Sequence, residues 1–402
     1  MLKQWLKQDR PALQMLLLAS LVLPCLFCWM LGNLYVEHIP FGVVDLDNSS
    51  LSRQIIRGLE DHPGLEVYVV EDQTSLEQQI YSKKLNGGMV IPESFYKELQ
   101  ARHPKELLTV IDGTNTLIAN NIMAYVSAVT GTYSAGVTLS LLEAGGMTAD
   151  MAMHTYNTFQ YGERTLYDPY LSYLSYLIYF IMPYLVQMTV VCIFALPMFS
   201  ALHEAIVQKG LRALSKQKWL ELAVRWGYIY IVSALASWIG FCLADYFFGL
   251  PVRGTMGHYF LLLGAFEIAL CAAAMMLATF IRPKHCLYFF ELLLCLGMVL
   301  LITNGAIWLP YLMPEGLFKL VGFLWPFAHV ALPFKYLNMK GAGLDILSPA
   351  IADCLQYAAF WAIAAIAVTL LQRQWHLWQE KKQAQIEHQA NPMEAIISDS
   401  AK

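Results

Sequence analysis

The chain has 402 residues, 57% of them hydrophobic and 14% charged, with a formal net charge of −4. Soluble domains carry about a quarter charged residues, so a freely soluble globular protein is excluded and the bilayer is the main solvent. Apolar and polar stretches are also segregated along the chain: one apolar span, a polar excursion from Val36 to Tyr170, then apolar segments almost to the end.

Met1–Pro11 mixes Leu2, Trp5 and Leu6 with Lys3, Lys7 and Arg10, which predicts a short amphipathic helix in the membrane interface. Six stretches reach the roughly 20 apolar residues needed to cross a hydrocarbon core: Leu13–Leu34, Leu171–Leu202, Trp226–Phe248, Tyr259–Ile281, Cys286–Leu309 and Cys354–Leu371. The first is of spanning length and lacks a small-residue cleavage site, so it reads as a retained span rather than a signal peptide. The second is over-long, which predicts tilt or a kink at Pro183.

Within the excursion, β-rich runs at Phe41–Leu46, Leu65–Val70, Gly88–Ile91 and Leu107–Ile111 alternate with helical stretches Ser50–Asp61, Ser75–Leu85 and Pro92–Arg102. This alternation predicts an α/β layer with a small parallel or mixed sheet. Ser49 or Ser50 is a candidate helix cap, and Pro92-Glu93 a candidate helix start. Ile118, Ile122, Tyr125, Val129 and Tyr133 recur at three- and four-residue steps, predicting one long helix over Thr114–Ala144. A second helix is expected over Ala149–Gln160. Five prolines from Pro310 to Pro349 punctuate an apolar stretch too short to cross but apolar enough to enter, which predicts a re-entrant or interfacial helix pair. The polar tail after Trp378 is expected to be disordered.

Basic residues lie before the first span (Lys3, Lys7, Arg10), between the second and third (Lys209, Arg212, Lys216, Lys218, Arg225), between the fourth and fifth (Arg282, Lys284) and after the sixth (Arg373, Lys381, Lys382). With alternating spans these fall on one side, and basic short flanks mark the cytoplasm. Both termini are therefore expected inside and the excursion outside. That excursion carries seventeen acidic and eight basic residues, read as a solvated acidic surface.

The eight cysteines lie in or at the edge of spans. Cys25-Leu26-Phe27-Cys28 has redox spacing, but an apolar helix disfavours the thiolate, so these residues read as small apolar packing groups. No Gly-x-x-x-x-Gly-Lys-Ser/Thr phosphate loop is present, and neither a His-Glu-x-x-His helix nor a Gly-x-Ser-x-Gly elbow occurs. Ionisable residues inside spans are functional candidates: Glu267 is mid-span, whereas Asp245 and Glu291 lie near span ends. Glu267 reads either as a group on a translocation path or as a hydrogen-bonded link between helices.

Asp45, Asp47, Ser49, Ser52 and Arg53 spell Asp-x-Asp-x-Ser-x-x-Ser-Arg at the end of a hydrophobic strand that follows Tyr35. Arg164 is followed by Tyr167-Asp168-Pro169, and His203-Glu204 is followed by Lys209-Gly210-Leu211-Arg212. In order and topology the chain resembles the type-2 ATP-binding-cassette (ABC) permease family, in its exporter branch with a large domain after the first span. It departs from the family pattern at Asp168, where asparagine is usual, and around Lys209-Gly210, where Gly-Thr is usual.

The resemblance implies an α-helical integral membrane protein with six transmembrane helices and an inserted α/β extracytoplasmic domain. The expected division is 1–35, an interfacial helix and first span; 36–170, the external domain; 171–372, spans two to six with an outer re-entrant segment at 310–349; and 373–402, a cytoplasmic tail. It further implies a permease subunit of an exporter in a bacterial inner membrane, itself no enzyme. Glu204, Lys209, Gly210 and Arg212 would couple it to separate ABC ATPase subunits that hold ATP and Mg. A second permease chain, identical or paralogous, is expected, and a periplasmic adaptor is a further candidate partner; no cofactor, metal or nucleic acid is expected on this chain. The rival readings are a membrane-anchored receptor or scaffold, and an intramembrane enzyme using Glu267 or His258.

Overall fold

The computed structural model of the chain describes residues 2–31, 37–101, 103–156, 166–167, 173–314 and 316–390. Tyr35, Asp168 and Pro169 lie outside them. The chain forms two compact units, Asn33–Thr165 and a second made of Met1–Gly32 with Leu166–Lys402.

The inserted unit holds strands β1 (Ile39–Asp45), β2 (Leu65–Val69), β3 (Gly87–Ile91) and β4 (Leu108–Ile111). They form one sheet in the order β2-β1-β3-β4, with β1 parallel to both neighbours and β3 antiparallel to β4. A central strand buried on both faces reads as a continuous apolar run rather than an alternating one, as Phe41, Val43 and Val44 do. On one face Phe41, Val43, Met89 and Ile91 pack with Leu51, Ile55 and Leu59 of a helix at Ser50–Glu60 and with Ile122 and Val126 of a 29-residue helix at Thr116–Ala144. On the other face Val44, Val70 and Val90 meet Leu76 of a helix at Gln73–Tyr81.

Two helix starts in this unit differ in kind. Ser49 caps the Ser50–Glu60 helix by accepting from the Ser52 amide at 3.0 Å. The helix expected at Pro92-Glu93 begins instead at Phe95, because Ser94 turns into the left-handed region at φ 57°. The helix expected over Ala149–Gln160 is seen over Ala149–Tyr156, and 157–160 lie outside the described residues.

In the second unit, α1 (Leu2–Gln8), α2 (Arg10–Leu17) and α3 (Leu23–Leu31) precede the inserted helices α4 to α8, and α9 to α16 follow them. Among the described residues five helical stretches are long and apolar enough to cross a membrane: Arg10–Met30, Leu174–Lys209, Lys216–Phe248, Met256–Ala278 and Leu344–Ile386. The last four are built on α9 (Tyr173–Thr189) with α10 (Leu196–Lys209), then α11 (Lys216–Phe248), α12 (Met256–Ala278) and α16 (Leu344–Ala390). A bent pair, α14 (Leu317–Leu324) and α15 (Phe327–Lys340), breaks by 96° at Trp325-Pro326.

The over-long second stretch does not break at Pro183, which lies inside α9. Its irregularity is a π-helical turn at Val190–Ala195, just before Pro197. The first stretch repeats the device at Leu18–Val22, just before Pro24. A proline cannot donate to the carbonyl four residues back and its ring crowds that carbonyl; the wider π-turn absorbs both defects within a continuous helix. The stretch expected at Cys286–Leu309 is helical only to Ile302, forming α13 of 17 residues. Asn304 ends it by donating from Nδ2 to the Leu301 carbonyl at 2.6 Å and accepting the Ala306 amide at 2.6 Å.

The tail after Trp378 is helical through Ala390 rather than disordered. Gln379–Ala390 contains no glycine or proline, and extending an existing helix avoids the nucleation cost that a separate segment would meet.

Candidate functional site

Of the flanks read as basic, Arg282 and Arg373 lie beside the end of α10, and a small set of polar bonds ties the spans at this basic end. Gln372 of α16 accepts from His203 Nε2 through Oε1 at 2.6 Å, and its Nε2 donates to the Thr279 carbonyl at 2.9 Å. One side chain thus links α10, the end of α12 and α16. Around it lies a cleft of about 590 Å³ that includes Glu204, Arg282, His376 and Gln379.

Of the four expected coupling residues, only Glu204 lines this cleft. Lys209, Gly210 and Arg212 form the turn out of α10, which is not one helix across His203–Lys218: α10 stops at Lys209, a 3-10 turn covers Gly210–Ala213, and α11 starts at Lys216 behind the Ser215 cap. Gly210 has φ +69°, and a β-carbon there would lie 2.2 Å from Arg373 Nη2. The positive φ is what calls for glycine here, since the Arg373 guanidinium is the movable end of a long side chain.

A second polar group at the basic end was not singled out from the sequence. Asp9, between α1 and α2, pairs with Arg225 of α11: Nε to Oδ2 is 2.8 Å, and the Nη2–Oδ1 contact completes a two-pronged bond. Tyr228 donates to the same carboxylate. Arg225 Nη1 also reaches Glu221 Oε1 at 3.1 Å, and Glu221 in turn binds Lys218 at 3.0 Å. Asp9 and Arg225 are 6% and 5% exposed, and a buried pair of this kind persists only with close geometry and further hydrogen bonds. The available signal was that Asp9 is the lone acid of the first thirty-odd residues.

Glu267 is fully buried in α12. Ser233 of α11 donates to its Oε1, while Oε2 has no partner among the described residues. The carboxyl thus sits at a contact between two helices of one chain. Farther along, Gln187 of α9 accepts from Trp325 Nε1 at 2.8 Å, tying the break between α14 and α15 to the second span.

The Asp-x-Asp-x-Ser-x-x-Ser-Arg string folds into a self-contained turn. Asp45 Oδ1 accepts the amides of Asp47 and Asn48 at 3.1 and 3.0 Å, and Oδ2 accepts from Ser52 Oγ at 2.7 Å. Arg53 donates to the Asn48 carbonyl at 2.7 Å, and Asp47 accepts the Tyr96 amide at 3.1 Å. Its polar groups join β1 to the next helix and anchor the helix at Phe95–Gln100. Tyr167, of the second family element, has φ +73°, and its carbonyl accepts from Arg253 at 3.0 Å. Among the described residues no group of three or more His, Cys, Asp or Glu side chains is placed to hold a metal.

No curated protein and no solved structure matches the chain. The model of the ABC-2 family transporter protein matches residues 12–366, which runs from the first span through the first half of α16. A match of that extent, over a polytopic helical unit interrupted by a domain with a small sheet, makes this chain a member of the ABC-2 transporter family: a multi-pass membrane component of an ABC transporter that associates with ABC ATPase subunits and is not itself the ATPase.

Proposed function

We propose that the chain is the permease subunit of an exporter, that it crosses the membrane six times, and that two such chains, identical or paralogous, form the pathway. The ATPase subunits, with their ATP and Mg, dock at the basic end. The observation that carries the coupling assignment is the Gln372 bridge: α10, α12 and α16 are tied together beside the cleft that holds Glu204 and Arg282. A partner that pushes on this cleft moves three spans at once, and transport needs such a linked two-state element, biased by ATP.

Six crossings are supported by the ends of α13. Its first residue, Cys286, lies 3.7 Å from Ser200 at the basic end. Beyond its last turn, the Ile307 carbonyl accepts from Tyr176 at the start of α9, at 2.8 Å. Its helix is about 25 Å long at 1.5 Å per residue, short but close to the hydrocarbon thickness. The α14–α15 pair is then re-entrant: Ile307 and Asn338 lie with the opposite end, where the Asn338 carbonyl meets Arg253, while Trp325 reaches Gln187 well inside the second span.

The basic end is read as cytoplasmic and the inserted domain as external, in a bacterial inner membrane. In a cysteine-free background, a cysteine at Asn86 is expected to react with an impermeant reagent from outside, and one at Gln217 only after the membrane is opened. The reverse pattern would invert the orientation. Coupling is tested by Glu204→Lys with Arg212→Glu, which is expected to preserve insertion while abolishing substrate-stimulated ATPase activity. Full stimulation would instead favour a receptor or scaffold role.

A further inference from the structure

We propose that the cleft of about 540 Å³ between α14, the start of α15 and α16 is a binding site for a protonated amine carried on an aromatic or aliphatic body. The site is defined by binding alone, and it stands or falls independently of export.

Its floor and walls are aromatic and held in place. Trp361 Nε1 donates to the Phe323 carbonyl and Tyr357 Oη to the Leu324 carbonyl, each at 3.0 Å. Because α14 ends at the 96° break, these carbonyls are not consumed by a continuing helix, and they anchor two rings of α16. Phe323 then lies 5.1 Å from the Trp361 ring and 5.5 Å from that of Phe360, centroid to centroid. Phe323 and Phe360 are half exposed to the cleft. Ring faces of this kind attract cations and bury apolar bodies.

The polar end of the cleft sets a histidine opposite a carboxylate. His329 Nε2 lies 3.0 Å from the Gly322 carbonyl. A carbonyl only accepts, so Nε2 carries a proton; in the neutral form of the ring Nδ1 is then an acceptor, whereas the imidazolium would itself donate from Nδ1 towards Asp353. Nδ1 faces Asp353 Oδ2 at 3.9 Å, too far for a direct hydrogen bond. Two acceptors facing each other across that gap are satisfied by a donor between them. An ammonium nitrogen can lie about 2.8 Å from both, the usual length for a charged donor.

Among the described residues no lysine or arginine comes within 4.0 Å of Asp353. Asp353 stands at the edge of the sixth apolar stretch with its side chain 55% exposed, and a carboxylate there with no lysine or arginine paired to it is open to a cationic ligand. Lys319 also lines the cleft, where it is exposed. It is a like charge for the ligand proposed here, and its stem is long enough to carry the ammonium away from the rings.

The test uses the purified full chain in phosphatidylcholine nanodiscs, with empty nanodiscs as reference. The probes are 2-(1-naphthyl)ethylamine and its uncharged counterpart 2-(1-naphthyl)ethanol, titrated by calorimetry. The amine is expected to bind saturably, one per chain, at least tenfold tighter than the alcohol. Asp353→Asn should weaken the amine at least tenfold and leave the alcohol unchanged, which also shows that the cleft is intact. Phe360→Ala, at a half-exposed position, should weaken both probes several-fold, and Lys319→Gln should tighten the amine. Equal affinity for amine and alcohol, amine binding indifferent to Asp353→Asn, loss of binding in Lys319→Gln, or no saturable binding beyond empty nanodiscs would each overturn the proposal.

Discussion

Asp9 and Arg225, 216 positions apart, meet as a buried two-pronged ion pair that joins the chain's first helices to its third apolar stretch. Removing one partner leaves the other charge buried and uncompensated, which costs about 3–5 kcal/mol, whereas replacing both with apolar groups is often neutral. Asp9→Ala and Arg225→Met alone are each expected to lower the apparent unfolding midpoint in detergent, and Asp9→Leu with Arg225→Met to recover most of it. Additive losses in the double variant would show that the pair does not act as a unit.

A close approach of backbones forms a second contact between the first and third apolar stretches. A β-carbon on Gly240 of α11 would lie 2.0 Å from the Ser20 carbonyl, the acceptor that Pro24 cannot bond. Ser237 donates to Ser20 Oγ nearby, at 3.3 Å. Small residues permit such approaches between membrane helices. Gly240→Ala must push two backbones apart and is expected to reduce the yield of folded protein. Gly227→Ala, on the same helix with nothing within 4 Å of its new β-carbon, should instead gain about 0.5–1 kcal/mol from helix propensity.

If the Asp45–Arg53 turn only positions helices, its loss should cost stability without changing coupling. Ser52 is fully buried, and Ser52→Ala removes a donor to Asp45 at 2.7 Å, a bond to a charged group worth about 1.5–3 kcal/mol. Lower abundance is expected, with unchanged ATPase stimulation per assembled complex. A selective loss of stimulation at normal abundance would give the motif a direct role.

Glu267→Gln keeps an acceptor for Ser233 and the volume of the side chain. Transport and assembly are expected to persist, because the carboxyl lies at a contact between α11 and α12. Loss of transport in a fully assembled variant would place Glu267 on the path instead.

Acid should loosen the inserted domain. The Ser75 amide, 2.6 Å away, holds the Asp72 carboxyl below the usual carboxylate range, and the Thr114 amide does the same for Asp112. A value lower in the folded state favours folding above the unfolded value of about 3.9, and that contribution is lost as pH falls through the folded value. Asparagine caps helices as well as aspartate, so Asp72→Asn is expected to be near neutral at pH 7. Below about pH 4, hydrogen exchange at Gln73–Tyr81 in the full chain should accelerate more in the wild type than in this variant. Equal acid sensitivity would remove Asp72 from the account.

Where the apolar stretches and the four strands lie was legible in the residues, because bilayer thickness and the alternation of short β-rich and helical runs act locally. The long helix carrying Ile118, Ile122 and Val126 was legible for the same reason, its apolar spacing repeating with the helical period. Local rules also misled where a few residues decide: Ser94 delayed a helix, Asn304 ended one early, and π-turns formed ahead of Pro24 and Pro197. The tertiary structure alone decided the polar partnerships. Asp9 looked like one acid in a basic flank, Gln372 like an ordinary residue near a span end, and Asp353 like a residue just outside the sixth span. Each acquired its meaning from a group on another helix, because hydrogen bonds and ion pairs depend on distances of a few ångströms between residues tens to hundreds of positions apart, which no local periodicity encodes.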